Sequence, residues 1–508
     1  MALAYLLHSA SNHSEPILPR FSIEAFIVDH GLRSESRDEA IDVHAMLESM
    51  EIPCNVLTIK WPAGVHPQRM RGLEEQARSR RYQIIAETSL GMGCSHLFTG
   101  HHRDDQTETL LMRLLQGNKR NVLGMRGMTA STTVPCCHNI FGARPWSVTA
   151  KTSVPSQLQS GAVFSWPENV QDGMHLHRPL LDFTKQQLVA TCRHFRIPYV
   201  TDRTNADPSY ATRNAVRLLR SHRIPTSLQS TRLAMTLQRA TELALKIEVE
   251  ARDFARTLSK LCMISQIGVF QFSIEHSISR TNMLGFRYFM ARILSLVSPN
   301  DPENVPTLLS ADAAECLGRA VSSQSHLHPE YLEQVVLGNL VLLRAVDEAD
   351  PDGRYTRRKF LIRQPMRQSE IVQNHKQFDL DQSKLVSGVN QMYFSERILW
   401  DNRFWIQVSA SEQELIARIE VRTFLKKDYA RLEQSEKQTL NERLAEFIPR
   451  SLVANVRFTL PVLALRGSDT LIAFPSLDLP IGMCDILRWQ VRYPRDKRVL
   501  DFFHVPTK

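Results

Sequence analysis

One stretch constrains this chain more than any other: Thr99-Gly-His-His-Arg-Asp-Asp-Gln-Thr-Glu-Thr-Leu-Leu-Met-Arg-Leu-Leu-Gln-Gly117. It follows a short β-like run, Ser95 to Phe98, and Leu110, Leu111, Leu114 and Leu115 then recur at helical spacing until Gly117 supplies a stop. The pattern predicts a strand, a tight turn and a helix start. Asp105 and Glu108 stand three apart at that start, as an N-cap and its reciprocal partner do, and carboxylates there also meet the positive end of the helix dipole. A cap alone needs neither Gly100 nor His101, His102 and Asp104. At the carboxyl end of a strand in an open α/β sheet, where ligands bind, such a crowd points to a site.

The apolar run Phe26-Ile-Val28 ends in the turn formers Asp29-His30-Gly31 and reads as a second buried strand of a parallel sheet. Helices are expected over 36–50 and 72–90, with a strand at 55–59 between them. Glu74, Arg78 and Tyr82 share one helical face. Alternating strands and helices of this kind predict an α/β fold with a doubly wound parallel sheet. At 508 residues the chain is too long for one core. We expect a catalytic domain over 1–220, with a Ser-, Thr-, Pro- and Gly-rich surface insertion at 129–177. A helical domain over 221–348 and an α+β region over 349–508 follow.

The second half carries an expected long helix over 227–261 and others near 282–297, 311–320 and 331–337. A hairpin turning at Asp401-Asn402 comes next, then a mostly helical stretch over 412–448 and strands at 454–465 and 470–474. No run approaches the ~18 apolar residues that a membrane helix needs. The eight cysteines form no C-x-x-C pair, which argues against a zinc ribbon or a disulfide framework. A net charge of +9, with Arg213, Arg217, Arg220, His222 and Arg223 close together, permits a polyanionic partner.

Gly100-His-His-Arg-Asp-Asp-Gln-Thr-Glu-Thr109 closely resembles the signature of the tRNA(Ile)-lysidine synthetases, ATP pyrophosphatases of the PP-loop superfamily. Val28-Asp-His-Gly-Leu-Arg33 and Leu73-Glu-Glu-Gln-Ala-Arg-Ser-Arg-Arg-Tyr82 match in the same order. So do Arg178-Pro-Leu-Leu181, Asp202-Arg-Thr-Asn205 and Arg213-Asn-Ala-Val-Arg217. The resemblance implies ATP and Mg²⁺ as cofactors, with L-lysine and a tRNA(Ile) bearing a CAU anticodon as partners. In that reaction ATP adenylates the C2 oxygen of cytidine 34, and the lysine ε-amine displaces AMP.

It further implies that Asp105 contacts metal or lysine, that Glu108 and Asp104 bind lysine or accept its proton, and that His102 meets the α-phosphate. His30, Gly31, Gly100 and His101 would neighbour ATP. Glu75 and Arg78 would lie near the site. Arg178, Asp202, Asn205, Arg213, Asn214 and Arg217 would shape its mouth and hold the tRNA. Members of the superfamily open with a strand and a Ser-Gly-Gly-x-Asp-Ser loop, whereas Met1 falls just inside the helix that follows. This predicts a shortened chain or a start codon assigned too late, with two inner sheet edges unpaired. The resemblance also suggests a eukaryotic source, no membrane partner, a homodimer, and a mitochondrial location rather than a cytoplasmic one. Two rivals stay open: a tRNA thiolase, which usually carries C-x-x-C pairs, and a non-catalytic tRNA-binding protein.

Overall fold

The computed structural model describes residues 1–12, 21–33, 35–61, 70, 72–115, 128–143, 173–200, 212–221, 230–274, 283–300, 308–322, 334–349, 355–380, 392–481, 487–493 and 503. They form two compact units, the first comprising Met1–Arg144 and Gly173–Lys246, the second Pro145–Asp172 and Ile247–Lys508.

The first unit follows the alternation written in its sequence. Helix α1 (Ala2–Ser11) precedes β1 (Ala25–Asp29), α2 (Ser36–Glu48), β2 (Cys54–Thr58), α3 (Leu73–Gly91), β3 (His96–Phe98) and α4 (Arg103–Leu115). Short strands β4 (Ser131–Thr133) and β5 (His175–His177) come next, then α5 (Lys185–His194), α6 (Thr212–Ser221) and α7 (Ser230–Arg256), whose last turns belong to the second unit. Pairing is parallel between β1 and β2 and between β3 and β5, and β4 closes the second group antiparallel. The expected single sheet is thus present as two pieces, β1-β2 and β3-β5-β4, with no described strand joining them.

The insertion expected at 129–177 is narrower among the described residues. Val134, Cys137, Ala143, Met174 and Leu176 are fully buried against Tyr82 and Ala86 of α3. They belong to the core because their apolar side chains fill the space between α3 and the β3-β5 pair. Arg178-Pro-Leu-Leu181, expected to enter a strand, instead follows β5 as a turn, since Pro179 has no N–H to give a ladder.

The second unit corrects the expectation of a helical domain over 221–348. The long helix ends at Arg256, and β6 (Leu258–Ile264) and β7 (Val269–Ile274) form a hairpin. Val269-Phe-Gln-Phe-Ser-Ile274 alternates with a period of two, a strand pattern, and Phe270 and Phe272 are fully buried. Helices α8 (Met283–Val297) and α9 (Ala311–Ser322) precede β8 (Gln334–Leu337), β9 (Leu340–Ala349) and β10 (Tyr355–Arg363). These strands complete a sheet in the order β6-β7-β10-β9-β8, so the described part of the helix expected at 331–337, Gln334–Leu337, is a strand. Gly285 lets α8 lie directly on α7: a Cβ there would fall 2.7 Å from the carbonyl carbon of Glu250 and 2.8 Å from the nitrogen of Ala251.

After α10 (Gln368–Gln373), β11 (Lys376–Gln377) and β12 (Tyr393–Phe394), the expected hairpin is β13 (Ile398–Trp400) and β14 (Phe404–Ala410). It turns on Asp401 and Asn402, both at positive φ, the backbone a two-residue hairpin turn requires. The stretch expected to be helical over 412–448 is interrupted. It contains α11 (Gln413–Ala417), β15 (Ile419–Thr423), α12 (Lys426–Arg431) and α13 (Gln434–Ala445), because β15 is a buried central strand. Residues 454–465, expected as one strand, divide into α14 (Val453–Arg457) and β16 (Pro461–Leu465). Then β17 (Leu471–Phe474) and β18 (Leu479–Pro480) extend the second sheet, while β19 (Leu487–Arg492) pairs with β14.

Candidate active site

The signature stretch folds as a strand, a loop and a helix start, but the cap lies three residues earlier than expected. The Asp105 carboxylate reaches back from the first turn of α4 and accepts the backbone N–H of His102 at 2.9 Å. Asp105 is therefore the reciprocal partner of the cap rather than the cap itself. Glu108, one turn on, lies on the buried face of α4 at 3% exposure. An ionised carboxylate so placed needs a cation. Helix α6 supplies two: Arg217 Nε donates to Glu108 at 2.9 Å, and Arg213 Nε lies 3.6 Å from its other oxygen. Arg217 also approaches Asp105 at 4.0 Å. Leu110 and Leu111 of α4 and Val216 of α6 pack beneath these pairs, so apolar burial fixes the spacing of the charges above.

Asp104 points elsewhere. Its carboxylate accepts the backbone N–H of Lys185 at 2.8 Å, at the start of α5, which Thr184 and Gln187 close with a capping box. The starts of α4 and α5 are thereby tied together. A cavity of about 380 Å³ opens between them, lined by His102, Asp104, Glu108, Thr184, Lys185 and Arg217 among others. His102 Nδ1 lies 3.4 Å from Asp105 and 3.8 Å from Asp104.

A second group converges on Tyr82. Arg78 and Arg81 lie over its ring at 5.0 and 5.4 Å. Burial, then repulsion from Arg78 and Arg213, depresses the pKa of Arg81, and burial followed by the field of Arg78 does the same to Arg178. Arg178 is 6% exposed and donates through Nη1 to the Thr129 carbonyl, while its Nε has no hydrogen-bond partner among the described residues. Burial, opposed in part by Asp105 and reinforced by Arg178, Arg78 and Arg213, holds His101 at about 4. Its imidazole is therefore neutral at pH 7 and meets the Thr99 hydroxyl at 2.9 Å. The pKa of His30 is lowered by burial and then by Arg81. Like charges are thus gathered out of water here, with Tyr82 opposing the shift at both Arg81 and Arg178.

His102, Asp104, Glu108 and Arg217 thus share one cavity, with Asp105 and Arg213 in contact with its charges. Arg78, Arg178 and His101 belong to the group around Tyr82. Asn214 is buried on α6 beside Arg213. His30 and Gly31 end β1, where Asp29 accepts the N–H of Gly31 at 2.9 Å. Gly100 is exposed in the loop after β3, and Glu75 is exposed on α3. Asp202 and Asn205 lie outside the described residues. Sequence reasoning missed Arg81, whose signal was its position three residues after Arg78, on the same helical face. Among the described residues no group of three or more His, Cys, Asp and Glu side chains is arranged to hold a metal. The expected ligand Asp105 already serves the His102 N–H and faces Arg217.

Residues 1–222 match a family profile described as a PP-loop domain. The chain is 24% identical over 468 residues to the probable tRNA(Ile)-lysidine synthase of Schizosaccharomyces pombe, covering 89% of this chain and 84% of that one. It is 32% identical over 237 residues to tRNA(Ile)-lysidine synthase of Bradyrhizobium sp., covering 47% and 54%. With that of Rhodopseudomonas palustris it shares 34% identity over 192 residues, covering 38% and 42%. The chain spans about half the length of these two bacterial relatives. Among solved structures, the U34-tRNA thiolase NcsA from Methanococcus maripaludis superposes over 48% of this chain and 68% of that one, at 13% identity. Its TM-score of 0.31 is too low to bear on the fold. The signature residues and the cavity they line fall within the matched PP-loop domain, the part of the chain that is similar to these bacterial tRNA(Ile)-lysidine synthases.

Proposed function

We propose that this chain is a tRNA(Ile)-lysidine synthase that joins the ε-amine of L-lysine to C2 of cytidine 34 in a tRNA(Ile) with a CAU anticodon, using ATP and releasing AMP and pyrophosphate. The observation that carries this reading is the pairing of two charge sets in the first unit. A cavity with Asp104 and Glu108 on its wall suits an ammonium group. Beside it, Arg78, Arg81, Arg178 and Arg213 suit phosphate.

In this reading the guanidinium groups offset the charge that gathers on phosphate as the bond to adenylate forms. Asp104 and Glu108 orient the lysine ammonium, and one carboxylate accepts its proton before the free amine attacks. The neutral imidazole of His101 is a hydrogen-bonding group rather than a cation. Mg²⁺ would accompany the ATP phosphates and offset their charge, since such ions keep several waters and take few protein ligands, and Asp105 would add at most one carboxylate to it.

Incubating the full chain with ATP, labelled lysine and a transcript of the CAU-anticodon tRNA tests the proposal. Lysine-dependent AMP release and label in the tRNA are expected. Sulfur incorporation would make it a thiolase, and tRNA binding without either reaction would make it a binding protein. A mitochondrial location and a homodimer are part of the same proposal, to be checked by cell fractionation and by sedimentation.

A further inference from the structure

Three imidazoles crowd the β3-β5 pair outside the cavity. In the parallel register His96 faces His175 and Phe98 faces His177. The ring centroids of His96 lie 5.4 Å from those of His175 and 5.2 Å from those of His177, and the His175 and His177 rings are 6.1 Å apart. All three pairs are near parallel, and the Phe98 ring extends the stack at 4.9 Å from His177. The other face of the pair, Leu97 and Leu176, packs on α3. Strand β4 sets Ser131 and Thr133 opposite His177 and His175 and brings no titratable group. The charges felt at His177 are those of His96 and His175, which reinforce burial in lowering its pKa.

His96 Nδ1 and His177 Nε2 meet at 2.9 Å. That contact holds a single hydrogen between two nitrogens. One added proton is tolerated, because an imidazolium donates to a neutral ring, but a second sets N–H against N–H and charge against charge. The strand ends are coupled to the signature loop. Thr99 donates its backbone N–H to the His177 carbonyl at 2.9 Å, and its hydroxyl meets His101 Nδ1.

We propose that the His96, His175 and His177 stack is an acid-operated latch on the signature loop: double protonation of the stack parts β3 from β5 and frees Thr99, so the loop carrying His101 and His102 loosens reversibly. The sign follows from linkage. The opened state binds protons that the paired state excludes, so pairing is complete above the ordinary imidazole value of 6.5 and weakens as pH falls below it. Each extra proton taken up on opening weakens protection about tenfold per pH unit.

Hydrogen exchange of the full chain between pH 7 and 4.5, corrected for intrinsic rates, reads this directly. Peptides spanning 95–99 and 174–178 should lose protection about tenfold per unit below 6.5, while β15 and β16 of the second unit hold theirs. His96→Phe, which keeps a ring in the stack, should retain protection at least one unit further into acid. An unchanged acid midpoint in that variant, or flat protection in the parent, overturns the proposal. NMR titration of the parent imidazoles decides the matter if the variant does not fold: two separated steps for His96 and His177 support it, and independent titration near 6.5 rejects it.

Discussion

Both units bury carboxylates against arginines, and they do so to opposite ends. In the second unit Asp401 sits between Arg403 Nε at 2.7 Å and Arg363 Nε at 3.4 Å, with all three side chains 1–2% exposed. Arg363 adds Glu370 at 3.0 Å, and Arg403 donates to the Thr459 carbonyl at 2.6 Å. Nothing there can swing out to greet a ligand. In the first unit Glu108 is equally buried, yet its partners Arg213 and Arg217 are about a third exposed and border a cavity. A pair sealed on both sides is architecture. A pair sealed on one side keeps a charge available to something that arrives later.

Matched amide substitutions test that contrast. Asp401→Asn should cost the second unit about 3 kcal/mol in denaturant unfolding, because two buried guanidinium groups lose their shared anion. A loss below about 1 kcal/mol would show that the second unit tolerates its cations unpaired. Glu108→Gln should do the reverse, cutting lysine incorporation about a hundredfold while costing less than about 1 kcal/mol, since its arginines can turn to water. Comparable losses of stability in the two variants would erase the distinction between the units.

A smaller effect comes from acid. His101 is held at about 4 against an ordinary 6.5, so its contribution to the first unit is full above 6.5 and declines as pH falls toward 4. His101→Asn should flatten that part of the first unit's pH profile, and an NMR titration that places the His101 ring near 6.5 would contradict the buried site. The smallest effect is expected at Asp469, whose carboxylate is held low by Arg431 and then by Lys427 on an open surface. Asp469→Ala should leave the melting temperature unchanged, as exposed pairs contribute little.

The signature region was legible because each of its residue types has few other reasons to be there. Two histidines, two aspartates and a glutamate after an apolar strand are hard to explain as a cap alone. Arg81 escaped notice because arginines on a charged helix ordinarily face solvent, and only Tyr82, two elements of arginine and His30 converging on it make it special. In the second unit, alternation in short strands such as Val269–Ile274 was hidden beside a long helical pattern, and Leu340–Ala349 opens without the alternation that marks an exposed strand because Leu340, Val341, Leu342 and Leu343 are all buried. Register and the two-piece sheet depend on partners distant in sequence, which no local pattern carries.

The close seat of α8 on α7 sets one last expectation. Every single-base change at the Gly285 codon that alters the residue inserts atoms where a neighbouring main chain already runs. Exchange of Glu108 for Gln is expected to leave the chain folded; this glycine admits no such half measure, and a saturation library scored only for soluble protein should return it as intolerant even of alanine.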